Sequence, residues 1–508
     1  MVEDEGPALQ VIVLGSGGGP LESNVTAFLV RSVAQNWSKG SIVAVDAGVH
    51  LSTITRLVQE AFPSPPPTSL PFTLADGPFA GLPLPYGSAT ANAAYITRTL
   101  VDTYLVTHPH LDHISGFVIN TAGLPGTRPK KLAGLPSTIQ AFKSHIFNNV
   151  IWPNLSDENN GAGLLTYLRL VDGGSPALGD GQGKGYLEIC DGLLVKTWSV
   201  SHGHCIEKHS HRGSVSSASP RFGSHDGSGQ PVRRSSQQTM PRGTTLLGHA
   251  TMGGASPGQF GGGGGGGGME QEKYCVYDSS AYFIQDHSHR REVLMIGDVE
   301  PDSISLSPRN LSVWQEAAPK IANGTLAAIF IECSYDDSRS NDRLYGHLKP
   351  VFVIEELRVL AAEVEAVHKA RSLESRKRKR VSISDEPGHH CRRPPTVVLE
   401  DPVSPKSMKP SLSRAAAAAA AADGLETPHL ATPTDELSLR ELEPPPTPDE
   451  GPRRWLEGLK IVIIHVKETL ENEPDPGDTI LQQLREHDKE ARLGCDFIIS
   501  KSGQSFYL

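Results

Sequence analysis

Several apolar segments of this chain end at a residue that can bind metal. SIVAV stops at Asp46, TYLV is followed closely by His108, and EVLMIG leads into Asp298. AAIFIE ends in Glu332, and LKIVII leads into His465. Short apolar runs of this kind are typical of buried β-strands. Because ligands usually bind where strand ends meet at one edge of a sheet, the pattern predicts an α/β fold with one shared site.

The densest of these positions is the hexapeptide HPHLDH. It places His108, His110, Asp112 and His113 directly after a strand. Neutral imidazoles and carboxylates suit zinc, manganese or iron. A histidine-rich surface loop is the alternative, but chance matches to this spacing after a strand are rare. The motif therefore predicts a metal site.

Two metal ions need more ligands than the hexapeptide offers. His202, Asp298 and His465 are the best further candidates, because each lies at or just past the end of an apolar run. His204 is a rival to His202, and His347 is a rival to His465. We expect His287 and His289, which precede Asp298, to lie in a polar loop.

A set of motifs spread along the chain carries a family resemblance. The set consists of LGSGGGP, THPHLDHISG, VSHG, GDVEPD, ECSY, LYGHL and IIHVKE. Together they resemble the metallo-β-lactamase superfamily, and within it the class II cyclic-nucleotide phosphodiesterases. Phe117 and Thr121 stand where smaller aliphatic residues and serine are common in the family. The resemblance implies a metallo-β-lactamase-like αββα sandwich.

The same resemblance implies a division of the metal ligands. His108, His110 and His202 would bind one Zn²⁺, and Asp112, His113 and His465 would bind the other. Asp298 would bridge the two ions. Mn²⁺ or Fe²⁺ are alternatives to zinc. The seven positions are the ones that the strand ends had already indicated.

The implied reaction is hydrolysis of 3′,5′-cyclic nucleotides, cAMP and also cGMP, to nucleoside 5′-monophosphates, which would lower cAMP signalling. His347 is the candidate proton donor to the leaving oxygen, with Glu332 as its acid partner. Asp112 is expected to serve catalysis as well as metal binding. Glu332 as a plain strand-end acid is the alternative.

Two further features lie near the expected site. Asp46 is expected either to orient a metal-bound histidine or to form a turn. The run GSGGGP lacks the spacing of known phosphate-binding loops. We interpret it as a tight turn that passes near the metals.

Two segments interrupt the catalytic domain and are expected to be disordered. Residues 205–270 are rich in Ser, Gly and Arg, and residues 370–454 contain SRKRKR, an eight-alanine run and Pro-rich stretches. Such compositions bury too little apolar surface to offset the entropy of ordering. The catalytic domain is thus expected to comprise residues 1–204, 271–369 and 455–508. We expect KYCVYDSSAYFI to form a strand pair and FIISKSGQSFYL to close the chain with a hairpin.

Charge and cysteine content limit the kinds of partner and the cellular compartment that are expected for this chain. The chain carries a net charge of −10, and both inserts have a small excess of basic residues. The remaining acidic part argues against a nucleic-acid partner. The six cysteines are scattered, the acidic N-terminus is unlike a signal peptide, and no segment is long enough to span a membrane. These observations predict a cytoplasmic protein. The family resemblance implies a small-molecule cyclic nucleotide as its partner.

The inserts suggest regulation. The basic run Ser375–Arg380 has the composition of a nuclear localisation signal, although solvated basic runs are common. Ser236 and Ser382 follow basic residues, as in sites of a cAMP-dependent kinase. The sequence leaves the oligomeric state open.

Two other functions stay as alternatives to the main interpretation. One is a tRNA 3′-end endonuclease or another phosphodiesterase of the same superfamily. The other is a non-catalytic binding or regulatory protein on the same scaffold. The filled ligand positions argue against the latter.

Overall fold

The structure is a computed structural model that describes residues 6–123, 128–179, 184–207, 273–383, 454–470 and 474–508. Most of both predicted inserts lies outside the described residues, and so does Ser236. Of the helices in these ranges, none combines the length and the apolar content that crossing a bilayer requires.

Two seven-stranded sheets form the centre of the domain. In chain order the strands are β1 (Leu9–Gly15), β2 (Ala27–Ser32), β3 (Ile42–Ala47), β4 (Phe72–Thr73), β5 (Pro83–Leu84), β6 (Val101–Leu105), β7 (Lys130–Gly134), β8 (Leu165–Arg169), β9 (Leu187–Cys190), β10 (Leu193–Glu207), β11 (Lys273–Asp286), β12 (Glu292–Ile296), β13 (Leu326–Glu332), β14 (Lys460–Ile464), β15 (Asp496–Ile499) and β16 (Ser505–Tyr507). The first sheet has the order β16-β1-β2-β3-β6-β7-β8, and the second has the order β15-β14-β13-β12-β11-β10-β9. β4 and β5 form a separate two-stranded sheet.

Helices cover the outer faces of the two sheets. They are α1 (Leu51–Glu60), α2 (Ala89–Tyr95), α3 (Leu111–Gly123), α4 (Pro136–Ala141), α5 (Asn310–Ala322), α6 (Pro350–Ile383) and α7 (Pro476–Ala491). Short π-helical turns follow α2 and α4, at Ile96–Leu100 and Phe142–Ile146, and a 3₁₀ turn spans Asn341–Arg343.

Three apolar cores hold these layers together. One lies between the sheets and includes Val11, Met295 and Phe330. The second packs α1 and α3 on the first sheet, and the third packs α5, α6 and α7 on the second sheet. Because each strand between two packed faces is apolar on both sides, the strands appear in the sequence as continuous apolar runs. The predicted αββα sandwich is confirmed.

The direction of the strands explains why their ends gather. β3, β6, β7 and β8 are parallel neighbours, and so are β12, β13, β14 and β15. Their carboxyl ends therefore meet at one edge of the sandwich.

Two local predictions were wrong. KYCVYDSSAYFI is one strand within β11, because it pairs with β10 along its whole length. FIISKSGQSFYL is not a hairpin: β15 pairs with β14 in the second sheet, whereas β16 pairs with β1 in the first. The last residues thus cross between the sheets.

The predicted insert boundaries also differ from the observed elements. β10 continues to Glu207, past the predicted start of the first insert at 205. α6 continues to Ile383, past the predicted start of the second insert at 370. Glu, Lys and Arg are good helix formers, so the charged run prolongs the helix. The basic segment Ser375–Arg380 and Ser382 therefore lie on the last turns of α6, and their regulatory roles stay predictions.

Candidate metal centre

The carboxyl-end edge of the sandwich carries the predicted ligand positions. His108 and His110 lie in the turn between β6 and α3, and Asp112 and His113 lie in the first turn of α3. His202 lies in β10 where the pairing register with β11 shifts. Asp298 and His465 follow β12 and β14, respectively.

The seven side chains form two adjoining ligand sets. One set is His108, His110, His202 and Asp298, and the other is Asp112, His113 and His465. Within each set the ligand atoms lie within 4.8 Å of one another. The structure therefore brings together all seven positions that the sequence had indicated.

Asp298 lies between the two sets. Its Oδ2 is 3.6 Å from His202 Nε2 and 3.3 Å from His465 Nε2. Its Oδ1 is 3.3 Å from His113 Nε2, and His108 Nε2 is 3.6 Å from Oδ2. One carboxylate therefore faces nitrogens of both sets.

Asp46 and Thr107 orient two of the histidines. Thr107 donates its backbone N–H and its hydroxyl to the Asp46 carboxylate, both at 2.8 Å. The hydroxyl can therefore only accept from His108 Nδ1, 3.0 Å away. His113 Nδ1 donates to Asp46 Oδ2 at 2.8 Å. In both rings Nε2 is left to face Asp298.

The other two buried histidines are oriented in the same way. His202 Nδ1 donates to the Gly346 carbonyl at 2.8 Å. Ser334 donates its hydroxyl to Glu332 at 2.6 Å, so it accepts from His465 Nδ1 at 2.9 Å. Four rings are thus held through Nδ1: Asp46 orients His113 directly and His108 through Thr107, whereas His202 and His465 have other partners.

Burial sets the charge of the imidazoles. It lowers the pKa of His202 to about 4 and holds that of His108 well below its usual range. These rings are neutral and carry the lone pairs that metal binding needs.

The carboxylates create a strong preference for a cation. Burial lowers the pKa of His113, but the charges of Asp298 and Asp46 together outweigh it and raise that pKa well above its usual value. Burial acts to raise the pKa of Asp298, but His465, His113 and His108 hold it well below its usual range. His113 Nε2 is buried without a hydrogen bond. The neutral imidazoles of His108 and His202, beside the Asp298 carboxylate that is held in its charged form, make a donor set that fits a bound metal cation.

Access to solvent is on one side of the cluster. His110 is exposed and Asp112 is half-buried, whereas the other five predicted ligands are buried. A substrate can therefore approach beside His110 and Asp112.

Glu332 and His347 form a pair beside the cluster. His347 Nδ1 is 2.9 Å from Glu332 Oε1, and both side chains are buried. The His347 ring stacks on the His465 ring, with 5.1 Å between their centres. Burial lowers the pKa of His347 to about 4, and burial together with the Asp298 charge raises that of Glu332 to about 7.

The structure distinguishes most of the histidines that the sequence left as alternative ligands. His204 is exposed, whereas His202 is buried in the cluster. His287 and His289 lie in the turn between β11 and β12, at the opposite edge of the sheet, where His289 contacts Asp286. His347 lies within reach of Asp298 and His465, so it is compatible with metal binding as well as with proton transfer.

The glycine-rich turn does pass next to the cluster. A Cβ on Gly18 would lie 2.5 Å from the His465 ring. The His465 N–H donates to the Ser16 carbonyl, and the Gly18 N–H donates to the Val466 carbonyl. The turn therefore fixes His465, as expected from its lack of a phosphate-binding pattern.

Sequence reasoning missed three positions that orient the histidines: Thr107, Ser334 and Gly346. Each adjoins a motif that had been noticed, since they belong to THPHLDH, ECSY and LYGHL. The hydroxyls of Thr107 and Ser334 and the carbonyl of Gly346 are poor metal ligands, so a search for metal-binding residues does not select them.

Known proteins resemble this chain along most of its length. The model of the family described as cAMP phosphodiesterases class-II matches residues 8–172, 265–374 and 441–503. A 3′,5′-cyclic-nucleotide phosphodiesterase of Schizosaccharomyces pombe is 26% identical over 353 residues, covering 70% of this chain and 75% of that protein. One of Candida albicans is 25% identical over 400 residues, covering 72% and 84%.

A solved structure shares the fold. Unliganded yeast PDE1 superimposes with a TM-score of 0.54 at 18% identity, covering 99% of this chain and all (100%) of that chain. The shared architecture is the αββα sandwich of the metallo-β-lactamase fold.

Proposed function

Because this chain belongs to the class II cAMP phosphodiesterase family, we propose that it hydrolyses 3′,5′-cyclic nucleotides, both cAMP and cGMP, to nucleoside 5′-monophosphates. The observation that carries the proposal is the pair of ligand sets around Asp298, with the Glu332–His347 pair beside them. A phosphodiester needs both charge neutralisation and a proton for its leaving oxygen. This arrangement of side chains supplies groups for each.

The ligand sets fit two Zn²⁺ ions. His108, His110 and His202 would hold one, and Asp112, His113 and His465 would hold the other, with Asp298 shared. When bound, two such ions would supply an acidified water and would neutralise charge on the phosphate. Asp46, Thr107, Ser334 and Gly346 contribute by fixing which nitrogen each ring presents.

Proton transfer falls to the Glu332–His347 pair. Hydrolysis adds a water oxygen to phosphorus and breaks the bond to the 3′ oxygen, which leaves as an alkoxide and needs a proton. The raised pKa of Glu332, about 7, means that the pair holds one proton near neutral pH. Protonated Glu332 donates that proton to His347 Nδ1 at 2.9 Å as the other ring nitrogen, Nε2, gives its proton to the 3′ oxygen. The imidazole stays neutral and Glu332 ends as a carboxylate. Asp112, half-buried at the opening, lies 3.3 Å from His465 Nε2, where it would hold the same metal ion as His465.

The test combines metal analysis with a substrate panel. We expect purified protein to contain two metal ions per chain and to convert cAMP to 5′-AMP. A chelator should abolish turnover, and Zn²⁺ should restore it. Cleavage of a tRNA precursor without cleavage of cAMP would instead support the endonuclease alternative. Inertness toward both would support a binding protein.

A further inference from the structure

The loop between β13 and α6 carries two tyrosines near His347: Tyr335 is half-buried and Tyr345 is exposed. It begins after Glu332 and returns to His347, and its neck is closed by the Ser334 N–H donating to the Leu348 carbonyl at 3.1 Å. The two members of the proton-transfer pair therefore lie at the ends of one loop. The side chains of this loop therefore lie next to the leaving group of a bound substrate.

A cation–aromatic stack occupies this loop. The Arg339 guanidinium carbon lies 4.6 Å from the centre of the Tyr335 ring and 5.7 Å from that of the Tyr345 ring. The Tyr335 ring centre is 6.0 Å from that of His347. Arg339 is itself fixed, because its Nε donates to the Arg343 carbonyl at 3.0 Å. The stack thus starts at the proposed proton donor and ends at Tyr345.

Tyr345 combines high exposure with an unfavourable backbone conformation. It is 67% exposed, and its backbone adopts a φ of +54°, which is costly for a bulky residue. The next residue, Gly346, holds His202 through its carbonyl. An exposed tyrosine fixed beside a ligand histidine at a strained backbone position does not contribute to the core. Although Arg339 lies on its ring, most of Tyr345 is accessible to a substrate.

From this geometry, and resting on the proposed function, we propose that Tyr345, supported by Arg339 and Tyr335, stacks on the purine base of the bound cyclic nucleotide. The base and the 3′ oxygen belong to the same nucleoside, so a 3′ oxygen at His347 brings the base to the neighbouring loop. Every purine has a π-face, so stacking tolerates different bases. The site therefore accepts cAMP and cGMP with similar KM.

The test compares three substrates: cAMP, cGMP and the cyclic phosphate of 1-deoxyribose, which lacks a base. The informative variant is Tyr345→Asn, because asparagine tolerates a positive φ. We expect its KM for cAMP and cGMP to rise about 5- to 100-fold, the usual range for loss of one stacked base. The base-free substrate should be unaffected, kcat should change little, and Tyr345→Phe should resemble the unmodified protein. Tyr86→Ala removes another exposed tyrosine, 49% exposed and remote from the loop, as a control.

Calorimetry with 5′-AMP gives a readout that does not need turnover. If Tyr345→Asn binds AMP more weakly and Tyr345→Phe binds it normally, the stacking role is supported. This holds even if the unmodified protein cleaves neither cyclic nucleotide, because that result would contradict only the proposed function. An equal loss for the base-free substrate, or unchanged KM and AMP affinity in Tyr345→Asn, would overturn the stacking role.

Discussion

Asp46 connects both ends of the HPHLDH turn through hydrogen bonds. It accepts from Thr107, which fixes His108, and from His113 directly. Its own φ of +54° places the carboxylate beneath the turn. A single carboxylate thus sets the orientation of one histidine from each ligand set, although it does not face the centre itself.

Replacing Asp46 with asparagine should weaken metal binding without unfolding the domain. Asparagine adopts positive φ readily, so the substitution removes the charge and keeps the backbone. Loss of such a supporting partner typically weakens metal affinity 10- to 100-fold. Competition with a chromophoric chelator measures the change, and Asp76→Asn, at an exposed position, is the matched control. Unchanged affinity in Asp46→Asn would show that the carboxylate is dispensable.

Gly18 controls the position of His465 by having no side chain. In Gly18→Ala the new Cβ would meet the imidazole at 2.5 Å, so the ring must leave the position in which its Nε2 lies 3.3 Å from Asp112. We expect the protein to fold normally and to lose about one metal ion per chain, with a large fall in kcat. Metal analysis beside circular dichroism tests this.

The control for Gly18→Ala is Gly87→Ala, whose Cβ would meet nothing within 4 Å. If both variants kept a full complement of metal, the contact between the glycine turn and His465 would have no functional weight.

At the scale of elements, the sequence predicts where strands end, but it does not predict which strands pair with each other. Apolar runs ending at Asp298 or His465 identify both the strand and the proposed ligand, because burial on two faces leaves a continuous apolar signal. The failed hairpin at the C-terminus shows the limit. β15 and β16 have the composition of paired strands, but their pairing is decided by β14 and β1, which lie far away in the sequence. Local patterns carry no information about such choices.

The far edge of the second sheet is held to α5 by a buried charge cluster. Lys320 lies 3.0 Å from Glu292 and donates to the Tyr186 hydroxyl at 2.6 Å. Glu292 begins β12, whereas Asp298 lies beyond its other end. The cluster therefore serves the attachment of the helix and is separate from the metal centre.

Lys320→Met should reduce the free energy of unfolding by about 3–5 kcal/mol, because it leaves the buried Glu292 carboxylate without its cation. The exposed pair Lys369–Glu365, at 2.7 Å, is the control, and Lys369→Met should cost about 0.5 kcal/mol or less. Urea denaturation of the metal-saturated protein measures both, and kcat for cAMP should stay the same in folded Lys320→Met. Equal stability of the two variants would contradict the buried role of Lys320.

At the scale of the whole molecule, all proposed ligands and the Glu332–His347 pair lie within the described residues, on both sides of the two long gaps in the description. The two inserts could be distinguished from the catalytic domain in the sequence by their composition. The boundaries were less accurate, because charged residues such as those after 370 are compatible with both helix and solvent. The first gap opens where β10 and β11 are still paired, since Glu207 faces Lys273 in an antiparallel register.

This pairing makes the first insert removable. Joining Glu207 to Lys273 through a short Asn-Gly turn would close an ordinary hairpin, and no proposed ligand or proton-transfer residue would be lost. We expect the shortened protein to keep two metal ions per chain and a kcat/KM for cAMP within about threefold of the full chain. As a control, the same turn placed between Ser201 and Asp278 would delete His202 and should abolish activity. A loss of more than tenfold in the Glu207–Lys273 variant, with its metal content intact, would show that residues 208–272 take part in substrate binding or turnover.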